Sequence, residues 1–398
     1  MSKSQQHDHS PLHIFLIFLR MGLTSFGGPI AHLAYFRAEF VDGRKWLSER
    51  SYADLMALCQ FLPGPASSQV GIALGLSRGG YAGALAAWAG FTLPSALVLI
   101  LFARGLSSLG ESVSAGALQG LKVVAVAVVA QAVWSMARTL CPDAPRITLM
   151  LLTTAGALLL PGMWTQIGLI AIAGVIGARL LTPVQAINHA PLNVPITRRT
   201  GVLWLMLFFT LLVGLPILTH LLPWTTLALV DAFYRAGSLV FGGGHVVLPL
   251  LQAEVVPTGW VDNQVFVAGY GAAQAMPGPL FTFAAFLGAS LQGHPSGFIG
   301  GLICLLAIFA PAFLLVFGAL PFWSAVQGNR RMQAALSGIN ACVAGLLLAA
   351  LYQPVWTSAI FGLKDVALAL LAFTALMYWK LSPWLVVVAS AFIGWLVL

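Results

Sequence analysis

Long apolar stretches cover almost the whole chain and are separated by short polar or basic connections. A helix needs about 20 such residues to cross a hydrocarbon core of about 30 Å. Membrane strands would instead show alternating segments of about ten residues, a pattern that this sequence lacks. The pattern therefore predicts an all-α polytopic membrane protein. Uninterrupted spans are predicted at 81–103, 116–137, 147–161, 164–182, 297–320, 334–353, 365–379 and 383–398.

Glycine and proline interrupt four further apolar segments. In the first half, Phe-Gly-Gly-Pro (26–29) breaks the segment 12–40, and Pro-Gly-Pro (63–65) breaks 53–76. In the second half, Phe-Gly-Gly-Gly (241–244) breaks 231–252, and Pro-Gly-Pro (277–279) breaks 264–291. Such breaks free backbone N–H and C=O groups, which a membrane tolerates only where they line a water-filled cavity or pack inside protein. Four breaks in paired positions therefore predict a cavity; the alternative is proline and glycine kinks in ordinary packed helices.

The motifs recur at a nearly constant spacing, which indicates a duplicated unit. The Gln-Phe-Leu-Pro-Gly-Pro motif begins at Gln60 and its copy begins at Gln274, and 274 minus 60 is 214. Phe26 and Phe241 begin the glycine motifs, and 241 minus 26 is 215. We therefore predict an N-terminal repeat at 1–182, a connecting segment at 183–224 with a linker helix at about 201–222, and a C-terminal repeat at 225–398.

Loop charge predicts that the two repeats have inverted topology. The loop at 37–50 carries four Lys and Arg, whereas its counterpart at 252–263 carries none, only Glu254 and Asp262. Cytoplasmic loops are enriched in Lys and Arg, so the two loops are expected on opposite faces. Treating the broken segments as re-entrant hairpins places Arg330 and Arg331 inside, whereas full crossings place them outside. We prefer the hairpins, although Arg104 and Lys364 then fall outside.

Composition agrees with a membrane protein and gives no sign of an enzyme. The chain is 59% hydrophobic and 8% charged, and its net charge of +8 is expected of basic cytoplasmic loops, so it does not indicate nucleic acid as a partner. The four cysteines show no CxxC spacing, so neither disulfides nor a metal cluster are predicted. No nucleotide-binding GxxxxGK[ST] or zinc-binding HExxH motif is present, and we expect no cofactor. The polar lead at 1–10 is expected to precede a retained first segment.

Two arginines and two glutamates occupy equivalent positions in the repeats. Arg20 and Arg235 each lie six residues before a glycine motif on an apolar flank. A guanidinium at such depth is functional by default and matches an oxyanion, or else it snorkels to the interface. Glu39 and Glu254 are candidates for coupling or a proton relay. The alternative for them is a structural salt bridge, with Arg37 as a partner in the first half.

The remaining candidates lie at the breaks themselves. Each break begins a half-helix whose unpaired N–H groups and positive dipole end favour an anion. Glutamine amides and hydroxyls beside the turns, including Thr282, either bind the anion or cap the freed backbone. Lys122, His32 and His245 are weaker candidates. The predicted substrate-binding set is Arg20, Gly27, Gly28, Gln60, Pro63, Gly64, Pro65, Ser67, Ser68, Arg235, Gly242, Gly243, Gln274, Pro277, Gly278 and Pro279.

These paired motifs, with Glu39 and Trp46 after the first, resemble the long-chain, two-domain form of the chromate ion transporter family. The resemblance covers nearly the whole chain and departs from strict repetition at Gly244, where the first half has Pro29. It implies efflux of chromate across the bacterial inner membrane, with resistance as the result and sulfate as the related oxyanion. The family's functional motifs fall on the paired positions above, together with Phe26 and Pro29.

The leading hypothesis is a secondary carrier for a tetrahedral divalent oxyanion, chromate or sulfate, that works by alternating access in the lipid bilayer. An oxyanion channel remains open, because the same breaks would serve as a filter. A membrane-embedded lipid phosphatase also remains open, because hydroxyls lie beside the turns. The sequence leaves a homodimer open as well.

Overall fold

The computed structural model describes residues 10–109, 115–182, 196–323 and 329–397, and this part of the chain is helical without strands. The polar lead at 1–9 and residues 183–195 of the predicted connecting segment lie outside the described residues. The first half contains α1 (Pro11–Thr24), α2 (Gly28–Arg37), a π-helical turn (Ala38–Gly43), α3 (Glu49–Phe61), α4 (Ala66–Leu109), α5 (Ala115–Leu140), α6 (Ala144–Leu159) and α7 (Met163–Leu180).

The second half follows α8 (Arg198–Leu221), which coincides with the predicted linker helix. It contains α9 (Thr225–Leu239), α10 (Val247–Val255), α11 (Asn263–Ala273), α12 (Phe283–Ala289), α13 (Gly297–Ala319), α14 (Arg330–Ala350), α15 (Leu363–Met377) and α16 (Pro383–Val397). Short 3-10 turns at Gly244–Val246 and Leu280–Thr282 precede α10 and α12.

In the part of the chain that the structure describes, six helices are long and apolar enough to cross a membrane, namely α4, α5, α7, α8, α13 and α14. The segments predicted as spans at 147–161 and 383–398 form the shorter helices α6, of 16 residues, and α16, of 15 residues. At 1.5 Å per residue these two helices are about 24 and 22 Å long. Large apolar side chains remain exposed on many of these helices, including Leu152 on α6 and Leu203 on α8, as expected where lipid replaces water. The chain is therefore a multi-pass membrane protein.

The first broken segment folds back on itself. The Phe18 ring of α1 lies 5.6 Å from Phe36 of α2 and 5.1 Å from Phe40 in the π-helical turn. In a continuous helix, positions 18 and 36 would be about 27 Å apart. The reversal occurs at Gly27 and Gly28, whose φ angles of 103° and 76° are left-handed and suit glycine. The segment 12–40 is therefore a helical hairpin.

The segments broken at Pro-Gly-Pro are hairpins as well, and each is closed at its base by an equivalent hydrogen bond. In the first half, Arg78 at the end of the returning helix donates from Nη2 to the Trp46 carbonyl oxygen at 2.7 Å. In the second half, the Gln292 N–H donates to the Trp260 carbonyl oxygen at 2.9 Å. Trp46 and Trp260 each precede the first helix of their hairpin, so both Pro-Gly-Pro motifs lie at the hairpin tips.

A further break lies inside α4, where the sequence predicts a boundary after Arg78. Gly79 and Gly80 leave the helical conformation, and Gly80 has φ 60° and ψ −153°. The backbone of Gly75 then lies directly against that of Gly83, because a Cβ on either glycine would meet the other's carbonyl oxygen. The two arms of α4, at 66–78 and 81–109, therefore run side by side.

Helices of the two halves pack against each other in the interior. Helix α5 of the first half packs on α16, and α14 of the second half packs on α7. Both contacts are made by facing glycines, Gly120 against Gly394 and Gly177 against Gly338. Small residues let membrane helices approach closely, which increases van der Waals contact between them. The halves are thereby interlocked through equivalent surfaces.

We expect Gly338→Val to destabilise the protein by about 1–3 kcal/mol, the usual cost of overpacking a close contact. Its Cβ would collide with the Ala173 carbonyl oxygen and separate α14 from α7. Thermal unfolding in detergent measures the change. Gly168→Val is the matched control, because Gly168 is also on α7 and no atom lies within 4 Å of its added Cβ. Equal midpoints for the two variants would contradict this account of the interface.

Candidate functional site

The two Pro-Gly-Pro turns are hydrogen-bonded to the glycine breaks of the opposite half. The Gly64 N–H donates to the Val240 carbonyl oxygen at 2.7 Å, and the Gly278 N–H donates to the Ser25 carbonyl oxygen at 2.9 Å. Ser25 and Val240 are the residues at which α1 and α9 end. Each bond therefore satisfies a carbonyl group that a helix end leaves free. This reciprocal pair brings all four breaks together.

The two glycine turns also meet each other. Pro29 lies against Gly244, because a Cβ on Gly244 would be 3.3 Å from Pro29 Cγ. Gly242 and Gly243 have φ angles of 73° and 143°, in the left-handed region as at the first turn. Pro29 and Gly244 hold the same position in the two glycine motifs and are the point at which the motifs differ. These two residues therefore form a direct contact between the halves.

Three adjoining cavities surround this meeting point, and Pro29 lines all of them. Cavity A, of about 250 Å³, is lined by Gly27, Gly28, Gln131, Gln274, Gly278 and Lys380, among others. Cavity B, of about 200 Å³, lies between Gly27, Gln131, Ser135 and Gly243. Cavity C, of about 250 Å³, is lined by Gln60, Gly64, Ser135, Thr139, Gly242 and Asn340, among others. One face of α5, from Val128 to Leu140, runs along the whole row.

The cavities collect about half of the residues that the sequence predicts for substrate binding. The predicted residues that line them are Gly27, Gly28, Gln60, Gly64, Gly242, Gly243, Gln274 and Gly278. The flanking prolines Pro63, Pro65, Pro277 and Pro279 shape the turns without lining a cavity, and Ser67 and Ser68 are buried in α4 behind them. The two arginines and two glutamates also lie outside the cavities.

Polar groups beside the turns cap the freed backbone. Gln69 donates from Nε2 to the Pro63 carbonyl oxygen at 2.7 Å, and Thr282 donates from Oγ1 to the Pro279 carbonyl oxygen at 2.8 Å. The sequence offered Gln60 for this capping role, whereas Gln60 lies on cavity C and Gln69 makes the bond. Because Gln69 and Thr282 cap the two Pro-Gly-Pro turns, Gln60 and Gln274 are not needed as caps, and both line cavities.

Arg20 belongs to an exposed ion-pair cluster at the base of the first hairpin. Its Nη2 lies 3.5 Å from Glu39, whose other oxygen accepts from Arg44 at 2.8 Å. The Arg20 side chain is 72% exposed. Arg37 instead bonds Glu49 at 2.7 Å, and this hydrogen bond lowers the pKa of the Glu49 carboxyl below its ordinary value. The partner of Glu39 is therefore not Arg37.

Arg235 belongs to an equivalent but buried cluster in the second half. It lies 2.8 Å from Asp231 and 3.0 Å from Glu254, and none of the three side chains is more than 12% exposed. The Trp164 ring lies 6.0 Å from the guanidinium carbon, within the range of a cation–π contact. Asp231 was missed by the sequence reasoning, although an acid four residues before an arginine on a helix is a recognisable ion-pair spacing.

The sequence reasoning also missed several polar residues that face the cavities. Gln131, Ser135 and Thr139 recur at every fourth position of α5, a spacing that would have found one polar helix face in an apolar span. His245, a weaker candidate in the sequence, lines cavities A and B, and its Nδ1 lies 2.9 Å from the Tyr270 hydroxyl. In the described residues, no cluster of His, Cys, Asp or Glu could hold a metal ion. The site is thus glycine-rich and carries several polar side chains.

Apolar helices with broken hairpins that meet around internal cavities define a multi-pass membrane transport protein. The family model described as chromate transporter matches residues 12–178 and 227–395, and the chain therefore belongs to the chromate transporter family. Its homologues are transporters rather than enzymes. The two matched regions correspond to α1–α7 and α9–α16.

Relatives of similar length match along nearly the whole chain. An uncharacterized transporter of Methanocaldococcus jannaschii is 27% identical over 99% of this chain and 96% of its own length. Chromate transport proteins of Pseudomonas aeruginosa and Cupriavidus metallidurans are 27% and 24% identical, each over 96% of this chain and 92% of the relative. No solved structure matches the chain.

Proposed function

We propose that the protein is a secondary transporter that exports chromate by alternating access. The observation that carries the proposal is the reciprocal pair of hydrogen bonds, Gly64 to Val240 and Gly278 to Ser25, beside a row of cavities that several polar side chains line. Transporters with inverted repeats place their substrate where discontinuous helices meet. Rocking one repeat against the other would open the same cavities first to one side of the membrane and then to the other.

Inverted topology of the repeats 1–182 and 225–398, joined through 183–224, is part of this proposal. Each half begins with two hairpins that end on the side where they start, followed by four helices that we take as crossings. One linker helix, α8, lies between the halves. Five crossings between equivalent elements turn the second repeat over. The reciprocal contacts between the halves support this arrangement.

Charge supports the proposed orientation. The cluster of the first hairpin has two arginines to one glutamate, and its counterpart has one arginine to two acids. Lys and Arg are enriched at the cytoplasmic face, so the cluster with two arginines is expected there. The proposal also includes a location in the cell inner membrane, export from the cytoplasm, and chromate resistance as the outcome. Sulfate, another tetrahedral dianion, is the proposed competitor or exchange partner.

Within the site, we assign contact with the anion to the cavity-lining members of the predicted set. Arg20 and Arg235 are held by carboxylates outside the cavities, which supports a role in bracing the hairpins. The same ion pairs support the salt-bridge alternative for Glu39 and Glu254. A coupling role for Glu254 predicts that Glu254→Gln uncouples chromate movement from a proton gradient while the protein remains folded.

Everted vesicles test the proposed function. Vesicles that bear the protein are expected to accumulate chromate under an imposed proton or sulfate gradient, whereas vesicles without it do not. Equal accumulation in both would overturn the proposal. Electrical recording separates a carrier from a channel, because a channel passes chromate current without a counter-substrate.

A further inference from the structure

Lys380 is the single Lys or Arg among the described residues that line cavities A, B and C. It lies in the connection between α15 and α16 and lines cavity A together with Gly27, Gly28 and Gly278. Its side chain is exposed, and it forms no ion pair with a described residue. The charge of Lys380 is therefore available to a solute in the cavity.

Lys380 lies at one end of the row of cavities. Gln131 lines cavity A together with Lys380 and lies nine residues before the end of α5 at Leu140, or about 13 Å along the helix axis. Leu140 and Thr139 line cavity C at the other end of the row. Lys380 therefore places its charge at the cavity A end.

The backbone conformation at Lys380 is one that favours glycine. After α15 the Leu381 N–H donates to the Ala375 carbonyl oxygen at 3.0 Å and the Trp379 N–H to the Thr374 carbonyl oxygen at 3.2 Å. Between these two donors Lys380 has a left-handed backbone conformation, with φ 53°. Glycine is favoured in that conformation, because a Cβ is disfavoured at positive φ. A lysine is thus placed at this point despite the local preference.

The equivalent loop of the first half has no such charge. Between α6 and α7 the chain has Gly162, also at positive φ, where the second half has Lys380. A cavity of about 410 Å³ lies beside Gly162. Two of its lining residues, Leu158 and Ala349, are the counterparts in the other half of Leu376 and Gln131, which line cavity A. The charge is therefore supplied once, on the side of cavity A.

We propose that Lys380 is the specificity-determining cation of the transport site, which holds a divalent oxyanion in cavity A. This inference rests on the proposed transport function. The ammonium group offers three donors and a full positive charge. The α2 N-terminus at Gly28 lines the same cavity, and its dipole adds to the attraction. The combination favours a dianion over a monovalent anion, because the attraction grows with the charge of the solute.

Kinetics of chromate uptake into everted vesicles test the inference. Lys380→Gln is expected to raise the KM for chromate about tenfold or more, which corresponds to the loss of one charge-assisted contact of about 1.4 kcal/mol. Sulfate inhibition should weaken in parallel, whereas inhibition by monovalent perchlorate should change much less. Lys380→Arg, which keeps the charge, should retain most of the affinity. Lys364→Gln is the matched control, because Lys364 bonds the Val397 carbonyl oxygen away from the cavities.

A stability measurement separates binding from a structural role. Lys380→Gly removes the charge and relieves the left-handed backbone, so the purified variant should unfold at the same or a higher temperature while it shares the affinity loss of Lys380→Gln. If Lys380→Gln abolishes uptake, the protection against thermal unfolding that chromate gives the purified protein takes the place of KM. Unchanged chromate affinity and unchanged sulfate inhibition in Lys380→Gln, with an active wild type, would overturn the inference. An inactive wild type would instead overturn the proposed function.

Discussion

Replacing Gly64 or Gly278 by alanine is expected to reduce chromate uptake to less than about a tenth of the wild-type rate, the effect of a perturbation of about 1.4 kcal/mol in the transport cycle. The two glycines have φ angles of 125° and 90°, where an alanine is strained by about 1–3 kcal/mol. Space is also short, because a Cβ on Gly278 would lie 2.9 Å from the Phe91 carbonyl oxygen. Relief of this strain would displace the N–H that binds Ser25 and so open the junction between the halves.

Initial uptake rates in everted vesicles, normalised to the amount of inserted protein, measure this effect. Gly168→Ala is the control, because that helical glycine has open space around its added Cβ. The double variant Gly64→Ala/Gly278→Ala should be no worse than the poorer single variant if both bonds serve one junction. Wild-type rates in both single variants would contradict a role for the reciprocal hydrogen bonds in transport.

Arg235→Gln is expected to destabilise the protein by about 3–5 kcal/mol, the usual cost of removing one partner from a buried ion pair. The substitution would leave Asp231 and Glu254 buried without their shared guanidinium. Arg20→Gln should change stability by no more than about 1 kcal/mol, because its side chain is largely exposed. The two arginines are equivalent in sequence, so their difference reflects the burial of Arg235 and its second acidic partner, Asp231. Thermal unfolding in detergent provides the comparison.

The triple variant Asp231→Asn/Arg235→Gln/Glu254→Gln supplies the control for this prediction. It removes the uncompensated charges and should recover much of the stability lost in Arg235→Gln. Similar unfolding midpoints for Arg20→Gln and Arg235→Gln would be inconsistent with the buried cluster. A transport assay distinguishes the two roles of Arg20. If Arg20 only braces the hairpin, Arg20→Gln should keep the wild-type KM for chromate. If Arg20 contacts the anion, Arg20→Gln should lose uptake while the protein remains folded.

The two arginine clusters share an arginine–glutamate pair and differ in the third charged residue. Position 231 is an aspartate in the second half, and the first half has Arg44 as the additional charged partner of its glutamate. Each half keeps an arginine and a glutamate 19 residues apart, joined across a hairpin. The common pair ties the two arms of each hairpin together. The added residue gives the two clusters opposite net charge.

Sequence by itself determined the fold class, the four breaks and the spacing of the motifs. Those features are local: apolar runs of sufficient length must be helical in a membrane, and Gly and Pro at 27, 28, 63 to 65 and their copies interrupt helices wherever they occur. The sequence also found the glycines and glutamines of the cavities, because they belong to the motifs. The sequence predicted that Arg20 and Arg235 bind the substrate, because a charged residue in an apolar segment does not show which residue is its partner in the folded protein.

Only the tertiary structure showed which residues lie together at the site. The bond from Gly64 to Val240, the polar face of α5 and the position of Lys380 join residues that are far apart in the chain. Their contacts depend on how hairpins and helices of both halves pack, and packing follows side-chain shapes and glycine contacts summed over the whole interior. Periodicity and motif spacing describe one segment at a time. The convergence of four segments on one row of cavities is a property of the folded chain.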